Sequence, residues 1–322
     1  MFAAYAESTD TDDPLSGLRH GERPAPSVPA DWTVVDVKAA SLNHHDVWSL
    51  RGVGLPSERL PMILGCDAAG TDADGNDVVV HAVISHPDWH GDETLDPQRS
   101  LLSELHPGTL AEQVAVPRRN LVPKPSSLSF EEAACLPTAW LTAYRMLFTQ
   151  GRLKPGDSVL VQGAGGGVST ALITLAHAAG LRVFATSRDA VKRSKAMDLG
   201  AVEAVEPGTR LTERVDAVME TVGAATWSHS VKSLRPGGTL VLSGTTSGPQ
   251  PDNAELTRVF FLQLRVQGST MGTRDELRQL VNLLDLSGAR PVIDRVLPLD
   301  AVTAGVAAMI AGDVFGKIVL TT

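Results

Sequence analysis

Residues 155–187 constrain the fold of this chain more than any other stretch. Val159, Leu160 and Val161 form a short continuous apolar run, the pattern of a strand buried on both faces. Four glycines follow within five residues, Gly163, Gly165, Gly166 and Gly167, interrupted only by Ala164. The period then changes. Val168, Ala171, Leu172, Leu175, Ala176 and Ala179 share one face of a helix. Gly180 ends that helix, and Arg182 to Thr186 reads as a second strand.

Strand, glycine turn, helix and strand in this order make a βαβ unit of the dinucleotide-binding kind. Free N–H groups and the helix dipole favour a pyrophosphate at a helix N-terminus. The backbone must come close to it, so glycine is favoured there. The strict spacing puts a third glycine at position 168, which here is Val168, followed by Ser169. The turn from Gly163 through Ala164, Gly165, Gly166, Gly167 and Val168 to Ser169 is the candidate phosphate site.

The rest of the chain follows the same alternation. Strands are expected at 202–205, 215–220, 239–242 and 264–267, with helices at 190–199 and 225–234 between them. Repeated β-α-β of this kind implies an α/β fold with a doubly wound parallel sheet. The first 120 residues read differently, as short strands between Gly and Pro turns. Residues 1–30 look like a loose arm, and 85–108 like a long loop. Ser129 with Glu131 and Glu132 opens a helix. Strands and one helix return over 291–322.

With 322 residues the chain is long enough for two domains. Its net charge of −9 and the lack of a long basic run argue against nucleic acid or an anionic membrane as partner. No run of 18 apolar residues exists, and the acidic first residues do not read as a signal peptide. The two cysteines, Cys66 and Cys135, suit a reducing compartment, so a cytoplasmic protein is expected.

Several segments resemble the medium-chain dehydrogenase/reductase superfamily, and within it the zinc-independent quinone oxidoreductase branch. They are Lys38-Ala39-Ala40-Ser41-Leu42-Asn43-His44-His45-Asp46, Leu64-Gly65-Cys66-Asp67-Ala68-Ala69-Gly70, Gly108-Thr109-Leu110-Ala111-Glu112, Leu141-Thr142-Ala143-Tyr144, Leu234-Arg235-Pro236-Gly237-Gly238 and Gly316-Lys317-Ile318-Val319-Leu320. The resemblance implies a GroES-like β-rich catalytic domain over 1–124, a Rossmann NADP-binding domain over 125–270, and a segment over 271–322 that completes the first. It also implies an active site in the cleft between the two domains and a homodimer paired through the strand at 264–267.

The second strand ends in Thr186-Ser187-Arg188, where NAD-binding proteins carry an acid for the ribose. A hydroxyl beside a guanidinium suits a 2′-phosphate, and Lys192 is a second cation, so NADPH is the expected cofactor. Asp189 complicates this, being an acid close by. The resemblance adds Ser243, Gly244 and Lys317 to the cofactor set. No metal is expected. Asn43, Cys66 and Thr138 stand where zinc relatives have their three ligands, and one soft ligand in three does not make a zinc site. His86 and His90 are four apart, but Pro87 blocks a regular helix there.

On the substrate side the resemblance points to Asn43, Asp46, Trp48 and Thr142 as the catalytic set, with Phe260, Phe261 and Met271 lining an apolar pocket. The implied activity is hydride transfer to a small molecule, a quinone, an enone or an aldehyde, with NADPH. The alternatives are a zinc-type alcohol dehydrogenase and a non-catalytic NADPH-binding or sensor protein.

Overall fold

The computed structural model describes residues 1–322. The first thirty residues, expected to be loose, are folded. β1 (Phe2–Ala6) runs antiparallel to β2 (Leu18–Glu22), with Phe2 opposite Glu22 and Ala6 opposite Leu18. Ala3, Ala4 and Ala6 are fully buried. Side chains this small carry little hydrophobic contrast, so the strand left no clear periodicity in the sequence. β3 (Trp32–Ser41) and α1 (His44–Leu50) follow. β4 (Met62–Ile63) adds to β1.

β5 (Asp67–Asp72) and β6 (Asp77–Val80) form a hairpin whose turn is held by the Asp72 carboxylate, which accepts the N–H groups of Asp74 and Asn76. β7 (Val83–Ile84) and β8 (Ser100–Leu101) pair across the long loop. β9 (Gln113–Pro117) and β10 (Leu121–Pro123) come next. α2 (Phe130–Ala134) starts at Ser129, whose hydroxyl accepts the Glu132 N–H while Glu132 accepts the Ser129 N–H. The chain continues through a π-helical stretch, Leu136–Trp140, into α3 (Leu141–Tyr144).

A second compact unit, Thr142–Thr270, holds the parallel sheet. Its elements are β11 (Ser158–Val161), α4 (Gly167–Ala178), β12 (Arg182–Thr186), α5 (Ala190–Asp198), β13 (Ala201–Val205), β14 (Val215–Glu220), α6 (Trp227–Ser233), β15 (Leu234–Leu242), α7 (Leu256–Phe261) and β16 (Arg265–Gly268). The strand order is β13-β12-β11-β14-β15-β16, and every pair is parallel. Order reverses between β11 and β14, and ligands of such sheets bind at the carboxyl ends of the strands at that point.

The first unit is Met1–Leu141 together with Met271–Thr322. Its last elements are α8 (Arg274–Ser287), β17 (Ile293–Pro298), α9 (Val302–Ala311) and β18 (Lys317–Thr321). The main sheet runs β10-β6-β5-β3-β18-β17, with β9 also paired to β3. The return segment therefore completes the β-rich sheet by placing β18 against β3. The division falls after Leu141, not at 124, because α2 packs on β3 and β5 of the first unit. No helix is long and apolar enough to cross a membrane.

Candidate functional site

The β-rich unit carries a buried polar cluster around Asn43. Lys317, at the start of β18 and 2 % exposed, places its ammonium 2.6 Å from the Leu42 carbonyl, 2.7 Å from Asn43 Oδ1 and 3.3 Å from Asp67 Oδ2. Three protons thus meet three acceptors. Asn43 Nδ2 donates to Asp67 Oδ2 at 2.8 Å and to the Ser41 carbonyl at 3.3 Å. Ser41 Oγ donates to the same Asp67 oxygen at 2.8 Å.

Three of the expected site residues thus have partners inside the β-rich unit. Lys317, expected at the cofactor, directs its donors to Leu42, Asn43 and Asp67. Asn43, expected at the substrate, has both ends of its amide held by Lys317, Asp67 and Ser41. Asp46 is held as well. Its two oxygens accept the N–H groups of Asn43, at 2.8 Å, and Gly65, at 3.0 Å. It is buried, and burial raises its pKa above the ordinary carboxylate value. It fastens the start of α1 to the segment before β5.

Of the other residues expected near the substrate, Trp48 is 37 % exposed, with the Arg51 guanidinium 5.2 Å from its ring centre. Thr142 is buried on α3, between the π-helical stretches Leu136–Trp140 and Arg145–Gln150. Such π segments are often found at functional sites. Phe260 and Phe261 are 69 % and 76 % exposed on α7. Met271 is core, packed with Cys66, Ala82 and Val83. Of the three residues expected to line an apolar pocket, one is thus packed in the first unit and two are exposed rings of the second.

The residues at the zinc positions do not fit that ion. The oxygen of Asn43 accepts from an ammonium. Cys66 Sγ donates to the Leu102 carbonyl at 3.2 Å, and burial pushes its thiol well above the usual range, with Asp46 and Asp67 adding to the effect. One sulfur beside an amide oxygen and a hydroxyl is not a zinc donor set. Thr138 supplies only a buried hydroxyl. No three His, Cys, Asp or Glu side chains come together anywhere as a metal-binding group.

The second unit carries the glycine turn. Gly163 has φ 76° and Gly165 φ 137°, both in the region that favours glycine. Gly166 is the N-cap of α4 and supplies no side-chain cap, leaving the first N–H groups of the helix open to a ligand. A Cβ on Gly165 would lie 2.8 Å from Lys192 Cδ and 3.4 Å from its Nζ, so the lysine lies across the turn. Ser169, in place of the last glycine, has a local reason: its hydroxyl accepts the Gly165 N–H at 3.1 Å and donates to the Gly166 carbonyl at 3.0 Å.

At the end of β12, Ser187 is buried and Arg188 exposed. The acid that complicated the cofactor choice, Asp189, caps α5 by accepting the N–H groups of Val191 at 2.7 Å and Lys192 at 3.2 Å. Those bonds are also why its pKa is lowered. Ser243 and Gly244 follow β15, and the Ser243 N–H donates to the Glu220 carbonyl at 2.9 Å. The sequence reading missed Asp67, Gln162 and Glu220. The signal was there for Glu220, an acid closing the apolar run Ala217–Met219.

Comparison with known proteins adds the following. Residues 29–126 match the alcohol dehydrogenase GroES-like domain, and residues 167–285 match the zinc-binding dehydrogenase family. The chain is 30 % identical to the zinc-type alcohol dehydrogenase-like protein C1773.06c of Schizosaccharomyces pombe, covering 83 % of this chain and 84 % of that protein. It is 28 % identical to the acryloyl-coenzyme A reductase of Sulfurisphaera tokodaii, covering 91 % and 92 %. Among solved structures, an NAD-dependent alcohol dehydrogenase superposes with a TM-score of 0.92 at 34 % identity, with both chains fully covered.

Proposed function

Because the chain belongs to the medium-chain dehydrogenase/reductase superfamily, we propose that it is an NADPH-dependent, zinc-independent oxidoreductase acting on α,β-unsaturated carbonyl compounds and quinones. The observation that carries the reading is the Lys192 side chain across Gly165, beside a β12 end bearing Ser187 and Arg188. Two cations and a hydroxyl suit a 2′-phosphate. The nearby acid does not compete, since Asp189 is used as a helix cap.

The residues Gly166 to Ser169 would meet the pyrophosphate, and Ser187, Arg188 and Lys192 the 2′-phosphate. Ser243 and Gly244 complete the nucleotide contacts. When bound, NADPH supplies a hydride. The chain's own part is then positioning, exclusion of water and support for the oxygen that gains charge. Asn43 does not give that support by direct contact, because its amide protons are engaged with Asp67 and Ser41. The Thr142 hydroxyl is the member of the expected set assigned to the reacting oxygen, and water supplies the proton. The unfit donors at the zinc positions support a reaction without that ion.

The substrate class leans to a conjugated double bond. The likeness to an acryloyl-coenzyme A reductase supports this, and enoyl thioesters join enones and quinones as candidates. The competing reading, alcohol oxidation, is favoured by the names of two other relatives, one of which also names NAD. We also place a second copy against β16, an edge strand with exposed Val266.

A substrate screen on chelator-treated protein tests the proposal, following NADPH and NADH absorbance with enones, enoyl thioesters, quinones, aldehydes and alcohols. Reduction of conjugated substrates is expected, with kcat/KM for NADPH at least about tenfold above NADH. Better use of NADH, or turnover of saturated alcohols alone, would overturn it. Cofactor binding without any turnover would favour a sensor.

A further inference from the structure

Three polar side chains close the carboxyl ends of the central strands of the parallel sheet, and none enters the chemistry just described. Gln162 follows β11, Thr186 ends β12 and Glu220 ends β14. All three are fully buried. They stand on either side of the point where strand order reverses.

Their hydrogen bonds form one directed chain. The Glu220 carboxylate is acceptor-only. Its Oε1 takes the N–H groups of Val222 at 2.7 Å and Gly223 at 3.0 Å, and Thr226 Oγ1 lies 2.9 Å from each oxygen. Ser230 Oγ donates to Glu220 Oε2 at 2.5 Å and accepts from Gln162 Nε2 at 2.9 Å. The second amide proton of Gln162 goes to His229 Nδ1 at 3.0 Å, and His229 Nε2–H donates to the Thr209 carbonyl at 2.8 Å. Gln162 Oε1 accepts from Thr186 Oγ1 at 2.7 Å. Thr186 Oγ1 then accepts the Gly163 N–H at 3.1 Å.

Reversing any member sets two donors or two acceptors face to face, so the carboxylate fixes the sense of the whole chain. The other end closes sterically. A Cβ on Gly163 would lie 2.7 Å from Val222 Cγ2, and Val222 is the residue whose N–H Glu220 holds. Gly163 is therefore bonded from one side and capped from the other by a single network.

We propose that Glu220, Ser230, Gln162 and Thr186 are positioning residues of the nucleotide turn. They fix the Gly163 peptide, and through it the open amides at the start of α4, without touching the phosphate. The proposal rests on reading that turn as a nicotinamide-dinucleotide site.

The test compares wild type with Thr186→Val, Thr186→Ser, Ser230→Ala and the Thr186→Val/Ser230→Ala double variant. Two quantities are measured: the NADPH Kd by fluorescence titration, and hydrogen exchange of residues 162–169 in the cofactor-free protein. Thr186→Val and Ser230→Ala each break two bonds of the chain and should each raise Kd about tenfold. Thr186→Ser should restore it, and the double variant should be little worse than either single. Exchange in 162–169 should quicken before cofactor is added.

Unchanged Kd and unchanged exchange in both single variants would overturn the proposal. So would a rise in Kd that Thr186→Ser fails to rescue while exchange quickens evenly through the unit. Wild type that binds neither NADPH nor NADH refutes the dinucleotide reading. That failure is distinguishable, because the exchange measurement uses no cofactor.

Discussion

Lys317 is picked out by its motif, while its partners appear only in the fold. Its ammonium sits among Leu42, Asn43 and Asp67 with no proton to spare. Lys317→Met removes the charge while keeping length, and leaves the buried Asp67 carboxylate without its cation. A loss of about 3–5 kcal/mol is expected, read by denaturant unfolding. If stability held within about 1 kcal/mol, the ammonium would have some other role.

The cysteines give a second check at this scale. Burial pushes Cys135 up to about 12 and Cys66 well above its ordinary value. Thiolate is the reactive form, so neither should react with a thiol reagent in native protein at pH 8, and both should react once unfolded. The sequence could not tell that Asn43, Asp67 and Lys317 face one another, because partners 24 to 274 positions apart meet only in the fold.

Among elements, the glycine turn and its flanking strands were the most legible part. Continuous apolar runs, a change of period and clustered glycines all agree there. The alanine-rich β1 and the six-residue α7 were not, one for want of large side chains and the other for want of length. The meeting of the end of β6, the segment between β9 and β10 and the start of α8 was also hidden. It centres on His81, whose Nε2–H donates to the Gly272 carbonyl at 2.9 Å, while Asn120 Nδ2 donates to the carbonyls of His81 and Val83.

Burial lowers the pKa of His81 from 6.5 to about 4, and the neighbouring Arg274 works in the same direction, against the Gly272 bond and Glu276. Folding thus favours the neutral ring. As pH falls below 6.5 the unfolded chain takes up the proton first, and stability declines until the folded state also protonates near 4. The loss amounts to about 3 kcal/mol over that window. Unfolding curves from pH 7 to 4.5 should show this slope, and His81→Gln should flatten it. An equal slope in the variant would assign the effect to other groups.

For the whole molecule, the alternation of strands and helices was enough for the doubly wound sheet, and the motif order for the β-rich partner. Assembly was not legible, since an edge strand looks the same in sequence whether or not it is paired. Val266 on β16 and Phe260 and Phe261 on α7 are exposed apolar side chains of the Thr142–Thr270 unit. Light scattering should give twice the 34.0 kDa chain mass at micromolar concentration. A monomer would remove the second copy from the proposal.

The central claim is hydride chemistry with NADPH and no zinc. The most direct measurement is the rate of NADPH consumption with a conjugated enone or enoyl thioester, before and after exhaustive chelation, repeated with NADH. The account predicts an unchanged rate after chelation and a clear preference for NADPH. A rate abolished by chelation and restored by zinc, or a preference for NADH, would contradict it.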